Sequence, residues 1–380
     1  MSEFKEFANN YLKDLENNGL KRKVETINGY ENNNRNGNNR IIKDNKEYIA
    51  FNDNDYFNLS CHKDVIKAAI DSTKTYGMGI RSSRLISGNN DFYDRLETLL
   101  AQIKGTETSL VLGSGFLTNM AVITALAEKS DLIIADKLVH ASIIDAIKLS
   151  GAKFFRFKHN DIKSCQELLI KHRKNYRHCF IISETIFSMD GDIAPIDELF
   201  LLSEKYKALL ITDDAHGFGL KNNFTHKAHI QIGTLSKAIG AYGGYVACDK
   251  IIRDFLINKA RGLIYSTSLP IPILAAAISA LEIIQKNPHL AKIPLDNAKY
   301  FCKLLKITPP QSPIVPLILG DNKSVIGAQK ILSNNGFLIS AIRYPTVPKN
   351  TARLRFTFNA SHKDYEIEQL CNVILKNILV

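Results

Sequence analysis

Apolar residues recur along this chain at two spacings, and the spacings divide it into elements. Phe4, Phe7, Tyr11 and Leu15 lie three to four positions apart, which predicts an amphipathic helix over residues 4–18. Residues 28–39 are rich in Asn and Gly and read as a loop. From about residue 90, helical and extended patterns alternate. Leu96, Leu99, Leu100 and Ile103 share one helical face, and Gly105 ends that helix. A second apolar helix is expected at 118–127. Short apolar runs at 132–135, 154–157, 179–183 and 209–212 read as strands, with helices at 141–149, 161–172 and 197–207 between them. Apolar strands this short, separated by helices, predict a mostly parallel sheet covered on both faces. After a long apolar helix at 270–286 the character changes. Pro294, Pro309, Pro310, Pro313 and Pro316 punctuate the chain. Strands at 314–319, 337–342 and 353–358, with helices at 323–334 and 363–378, then suggest a small α+β unit. The expected organisation is an N-terminal helix and arm over 1–47, a large domain over 48–285 and a small C-terminal domain over 286–380.

Composition narrows the class. With 380 residues, 45% of them hydrophobic and 23% charged, the chain has the make-up of a globular protein with a large core. The net charge of +11 is densest at Lys171-His172-Arg173-Lys174-Asn175-Tyr176-Arg177-His178, which reads as a solvated helix end or as a patch for an acidic ligand. No recognisable nucleic-acid motif accompanies it. The six cysteines, Cys61, Cys165, Cys179, Cys248, Cys302 and Cys371, are scattered without a CxxC pair, as in a reduced, cytoplasmic protein. Cys179 and Cys248 sit in apolar runs and read as buried thiols. The N-terminal residues carry no apolar signal segment, and no apolar run is long enough to span a membrane. Gly77-Met78-Gly79 and Ser87-Gly88 lack the spacing of a dinucleotide fingerprint.

The candidate chemistry lies where polar clusters follow the expected strands, since ligands of α/β sheets sit beyond the carboxyl ends of strands. Asp213-Asp214-Ala215-His216-Gly217 follows the run Leu209–Thr212. Lys237 lies between Thr234, Ser236 and the glycines Gly240, Gly243 and Gly244. A lysine able to hold an aldehyde as a Schiff base, with an acid to keep a pyridine nitrogen protonated, suits a pyridoxal phosphate (PLP) enzyme. Gly113-Ser114-Gly115-Phe116 before an apolar helix offers free backbone N–H groups for a phosphate, or is simply a capped turn. His140 could stack on a flat ring or be structural. The acids of Ser183–Asp192 read equally as metal ligands, loop caps or polar groups of a site. A hydrolytic metal centre at Asp213, Asp214 and His216 competes, but no companion histidine cluster supports it, and no metal is expected.

Assembled, these motifs resemble the α-oxoamine synthases, PLP enzymes of fold type I, and within them the branch that acts in biotin biosynthesis. The resemblance runs from about residue 48 to the C-terminus. It is carried by Asn54-Asp55-Tyr56, Ser83-Arg84-Leu85-Ile86-Ser87-Gly88, Ser114-Gly115-Phe116, His140-Ala141-Ser142, His159-Asn160-Asp161, Phe187-Ser188-Met189-Asp190-Gly191-Asp192, Asp213-Asp214-Ala215-His216-Gly217 and Ile264-Tyr265-Ser266-Thr267-Ser268. The branch is marked by Gly320-Asp321-Asn322, Ala341–Pro348 and Thr351-Ala352-Arg353-Leu354-Arg355. The glycine C-acetyltransferases and 5-aminolevulinate synthases share the core and differ there.

The resemblance implies a fold type I transferase with a large, mostly parallel-sheet PLP-binding domain and a small α+β C-terminal domain. It implies a homodimer that condenses L-alanine with a pimeloyl thioester, carried by CoA or an acyl carrier protein. It makes Lys237 the cofactor-linked acid–base group, with His140, Asp213 and His216 as the other catalytic residues. Asp213 would pair with the ring nitrogen, His216 with the ring oxygen, and His140 would stack on the ring and help hold the substrate carboxylate. Gly115, Phe116, Ser188 and Thr234 would also contact the cofactor, and Thr267 the cofactor phosphate of the partner subunit. Arg355 would hold the amino-acid carboxylate, a task suited to a two-pronged guanidinium. Thr346 would line the substrate site, with Arg343 near it. The family's N-terminal substrate arginine falls on Lys21 or Arg22, and Arg22 preserves the guanidinium. The chain departs from the family pattern at Arg81 and Ser82, where small residues are usual, and at Asn58, where glycine is usual and a left-handed backbone is expected. Rival readings are the same chemistry on another substrate pair, an inactive PLP-fold scaffold, and a nucleic-acid-binding protein suggested by charge and Asn content.

Overall fold

A computed structural model describes residues 2–30, 39–219 and 225–379. The chain divides into two compact units, one of Asn54–Ser188 with Asp192–Leu295 and one of Met1–Asp53, Met189–Gly191 and Asp296–Val380.

The first unit is built on a seven-stranded sheet. Its spatial order is Thr108–Leu112, Gly244–Cys248, Ile230–Thr234, Leu209–Asp213, Cys179–Glu184, Leu132–Asp136 and Lys153–Phe157. The last five run parallel, while Gly244–Cys248 is antiparallel to both its neighbours. Alternate residues of the central strands feed two separate cores. Ile133, Phe180, Ile182 and Ile211 pack with Ala121, Ile143 and Ile147 of the helices Gly115–Leu126 and Ala141–Ser150. Leu132, Ile134, Ile181 and Leu210 face the other way, against Cys165, Leu169, Leu199 and Leu202 of Ile162–His172 and Ile196–Lys205. Strands apolar on both sides are what a sheet sandwiched between helices requires. Ile271–Lys286 packs on Lys63–Tyr76 and Asp91–Lys104. The last of these ends at Gly105 in the left-handed conformation, as its sequence predicts.

The helix expected at 118–127 starts at Gly115, three residues earlier, because Ser114 caps it by accepting from Leu117 N–H at 3.1 Å. Strands Thr108–Leu112 and Gly244–Cys248 and helices Lys63–Tyr76 and Lys250–Lys259 are additions to the sequence reading. Asn58 has φ 57°, the left-handed backbone expected where glycine is usual, and Arg81 has φ 64°.

The second unit holds two small sheets. In one, Gly29–Tyr30, Arg40–Lys43 and Lys46–Ala50 pair antiparallel, and Phe337–Leu338 joins Lys46–Ala50 in parallel. In the other, Ala352–Thr357 is flanked antiparallel by Ile314–Gly320 and Ser340–Ile342. The expected strand 337–342 is thus two short strands in different sheets, divided at Ile339. Of the Asn-rich stretch expected as a loop, residues 29–30 are paired and 31–38 lie outside the described residues. The core of this unit gathers Phe301, Phe356, Phe358, Ile367 and Ile374 with Phe51.

Candidate active site

Four parallel strands of the large sheet end on polar residues at the same edge: Asp136, Glu184, Asp213 and Thr234. Around three of these ends lies a cleft of about 270 Å³. Of the residues singled out in the sequence, Lys237, His140, Asp213, His216, Gly115, Phe116 and Thr234 all line it.

Asp213 is buried and its carboxylate is fixed by two donors. The Ala215 N–H reaches Oδ1 at 2.9 Å, and the Asn119 side-chain amide reaches Oδ2 at 2.7 Å. The same amide lies 3.0 Å from Ser142 Oγ, which lies 2.8 Å from His140 Nδ1. The Ser142 backbone N–H also donates to Nδ1, at 3.2 Å. Nδ1 is therefore an acceptor, and the neutral ring carries its proton on Nε2. Crowding by the surrounding protein lowers the His140 pKa; Asp213 opposes the shift and Lys237 adds to it. A neutral imidazole is thus held in one tautomer by a chain that ends on Asp213.

A second chain fixes the lysine. Tyr56 Oη lies 2.7 Å from His216 Nδ1, and His216 Nε2 lies 2.7 Å from Lys237 Nζ. Tyr56 comes from the turn closed by Asn58, in which Asp55 accepts the Leu59 and Ser60 N–H groups at 2.9 Å. Lys237 sits in a turn closed by Gly240, whose N–H donates to the Lys237 carbonyl at 2.8 Å. Gly240 has φ 69°, and a Cβ there would stand 2.5 Å from Ser60 N, so only glycine lets this turn close against the Tyr56 segment. Thr234 donates to the Gly243 carbonyl at 2.9 Å and lies 2.8 Å from Ser236 Oγ.

The residues fit the group that the sequence suggests. An acid whose two oxygens each accept from a fixed donor suits a pyridinium nitrogen, an amine lines the same cleft, and a helix N-terminus opens there. The first N–H groups of Gly115–Leu126 have no intrahelical acceptor and point with the positive end of the helix dipole. A Cβ at Gly115 would come within 3.2 Å of Thr234 Cβ, so glycine keeps the gap between helix and strand end open. Glu184 Oε1 and Asn119 Oδ1, both buried on cleft-lining residues, are without hydrogen-bond partners.

Ser188 and Thr267 are not among the residues lining this cleft. Ser188 is half-buried beyond the end of Cys179–Glu184, and exposed Thr267 forms a bridge to Ser83. Besides His140, the expected substrate residues Arg22, Thr346 and Arg355 lie in the second unit. Arg22 Nη2 lies 3.4 Å from Thr346 Oγ1, Arg343 donates to the Gly19 carbonyl at 2.8 Å, and Lys21 pairs instead with Glu16 at 2.8 Å. Arg355 is buried in the middle of Ala352–Thr357. Asn119 and Ser142 were not expected as site residues, and the acids of Ser183–Asp192, Glu184 among them, were expected only as metal ligands, loop caps or polar groups of a site. Asn119 stands four residues after Gly115 and so on the same helix face, a signal that was available. Among the described residues no cluster of three or more His, Cys, Asp or Glu side chains is placed to hold a metal ion.

Residues 46–374 match the family described as aminotransferase class I and II. The chain belongs to that family. It is 44% identical over 339 residues to the 8-amino-7-oxononanoate synthase of Granulibacter bethesdensis, covering 88% of this chain and 89% of that one. The structure of an 8-amino-7-oxononanoate synthase from Francisella tularensis is 31% identical, with a TM-score of 0.75 over 87% of this chain and 98% of that one. A serine palmitoyltransferase from S. paucimobilis superposes with a TM-score of 0.90 over 99% and 98% of the two chains; at 23% identity the shared property is the fold. This member of the aminotransferase class I and II family is a PLP-dependent transferase of fold type I, and pyridoxal 5′-phosphate is its cofactor.

Proposed function

We propose that the protein is an α-oxoamine synthase of biotin biosynthesis, condensing L-alanine with a pimeloyl thioester to give 8-amino-7-oxononanoate, carbon dioxide and the free thiol. It would work as a cytoplasmic homodimer, with CoA or an acyl carrier protein as the thiol. The observation that carries the reading is the cleft in which Lys237, His216, Asp213 and His140 meet, in a chain 44% identical to an enzyme of that name.

When bound, PLP supplies an electron sink for negative charge developing at the amino-acid α-carbon. Asp213, whose carboxylate accepts from Ala215 and Asn119, would pair with the ring nitrogen and favour its protonated form. The Gly115 and Phe116 N–H groups would hold the phosphate, with Thr234 beside them. Lys237 Nζ removes the α-proton and later returns one; His216, 2.7 Å away, orients the amine. The neutral ring of His140 would stack on the cofactor and offer its Nε2–H to the substrate carboxylate. Arg355 would give that carboxylate a two-pronged donor, Arg22 and Thr346 would attend the substrate, Ser188 would contact the cofactor, and Thr267 would reach the cofactor phosphate of a partner subunit.

Purified protein loaded with PLP should show a visible absorption band that changes on adding L-alanine. Adding pimeloyl-CoA should then release thiol. Lys237→Ala should abolish the alanine response and the turnover. A larger response to glycine with a short acyl-CoA would overturn the substrate pair, and a band indifferent to Lys237→Ala would overturn the role of the lysine.

A further inference from the structure

Glu184 is the second acid lining the cleft, and the mechanism above leaves it unused. It is the last residue of Cys179–Glu184, and its Cα is the direct register partner of Asp213 on the next parallel strand. Adjacent strands lie about 4.8 Å apart, so the two carboxyl groups start side by side. Their surroundings differ. Asp213 accepts from two fixed donors, as an ionised carboxylate requires. Glu184 is 4% exposed, its Oε1 has no hydrogen-bond partner, and among the described residues no cation forms an ion pair with it. The start of the helix Ala141–Ser150 lies beside it, with the His140 backbone N–H near enough to its carboxyl group to favour the charged form.

Two buried carboxyls side by side do not both ionise; the proton stays on the one whose charge is least supported. We infer that Glu184 is a neutral positioning acid, which holds the start of the His140 helix through the His140 N–H and leaves Asp213 as the single carboxylate charge in the cleft. The inference rests on the PLP reading of this cleft. The charged and titratable groups around Glu184 agree on the direction. Burial and Asp213 raise its pKa well above the usual carboxylate range. Lys237 opposes them, as does the His140 N–H, while Asp136, on the strand at its other side, adds to the shift. His140 and His216 complete the set lining the cleft.

Neutrality has a purpose here. A second negative charge beside Asp213 would raise the basicity of the amine and of the ring nitrogen together. It would also pull the His140 imidazole toward its cationic form. A neutral acid supplies the hydrogen bond without that charge.

The test has two independent readouts. In the first, the infrared spectrum of the purified cofactor-free chain is recorded near neutral pH. It should contain the C=O stretch of a protonated carboxylic acid, and Glu184→Gln should lose it; absence of this band from the wild type would overturn the inference whatever the cofactor does. In the second, PLP is bound and the pH midpoint of its visible absorption change is measured. Glu184→Gln should leave this midpoint in place, because it exchanges one neutral group for another. Were Glu184 ionised, the substitution would remove a negative charge, destabilise the nearby cation and lower the midpoint by roughly one to two pH units at an effective dielectric near 20. Glu184→Ala should weaken PLP binding by about tenfold, with Gln restoring most of it. Equal losses in Ala and Gln would remove the positioning role. Failure of the PLP reading would appear separately, as wild-type protein that gives the infrared band but no visible one.

Discussion

The residue that neutralises the neighbour of Asp213 is Lys104, the last residue of Asp91–Lys104. It is 1% exposed, and its Nζ lies 2.6 Å from Asp214 Oδ2. Asp214 Oδ1 accepts from the Thr185 hydroxyl at 2.7 Å. Asp214 follows Asp213 directly, so a closed ion pair keeps its charge from competing with the one that serves the ring. Such a pair adds little net stability over an apolar replacement, but removing one partner strands the other charge without water. Lys104→Met should therefore destabilise the protein by about 3–5 kcal/mol, read as a fall in the denaturant midpoint with and without PLP. Adding Asp214→Asn should recover a large part of the loss. A single substitution costing under about 1 kcal/mol would show that the pair is not held against solvent. Asp214 was visible in the sequence as half of an acidic pair. Its partner was not, because Lys104 stands 110 positions away, at the end of the helix Asp91–Lys104.

At the scale of elements, the site is a meeting of strand ends with one helix start. Thr234 ends its strand where Gly115 begins its helix, and a Cβ at Gly115 would stand 3.2 Å from Thr234 Cβ and 3.4 Å from its Oγ1. That contact is tight rather than impossible, so the fold should absorb it by a shift of a few tenths of an ångström. The phosphate, which needs the same N–H groups, has less room to give. Gly115→Ala should leave thermal stability of the cofactor-free chain nearly unchanged and weaken PLP binding by about tenfold or more, measured by fluorescence titration. A large loss of apo stability with unchanged affinity would move the phosphate elsewhere. This arrangement was legible from the sequence, since each polar cluster followed an apolar run and a parallel sheet brings such ends to one edge. What was hidden had no contrast. Thr108–Leu112 and Gly244–Cys248 are short apolar runs next to glycine and polar motifs, and run length alone does not separate a strand from a loop. Residues 337–342 keep one extended pattern across a change of sheet, because pairing partners leave no mark on alternation. Glu184 was seen, but its role depends on a register with Asp213 that only the folded sheet defines.

At the scale of the whole molecule, the proposed reach of Thr267 into a partner subunit's site would make a dimer the functional unit, and this can be decided by mixing defects. Thr267 is exposed, and its segment is tied to the 82–88 turn: Thr267 bridges Ser83, and the Ser268 N–H donates to the Ser82 carbonyl at 3.0 Å. The side chain is thus presented on an anchored segment and is absent from the lining of its own subunit's cleft. Suppose that Lys237 acts within one subunit and Thr267 across the interface. A heterodimer of Lys237→Ala with a Thr267→Val subunit then carries both defects in one site and neither in the other. Random reassociation of equal amounts should restore about a quarter of wild-type activity, since half the dimers are mixed and half their sites are intact. If Thr267 instead acts on its own subunit's cofactor, each site of the heterodimer keeps one defect and mixing restores nothing. The amount of mixed dimer, followed with a mass tag on one parent, separates failed exchange from failed complementation. Activity rising in proportion to the mixed species would establish that a complete site draws on two chains.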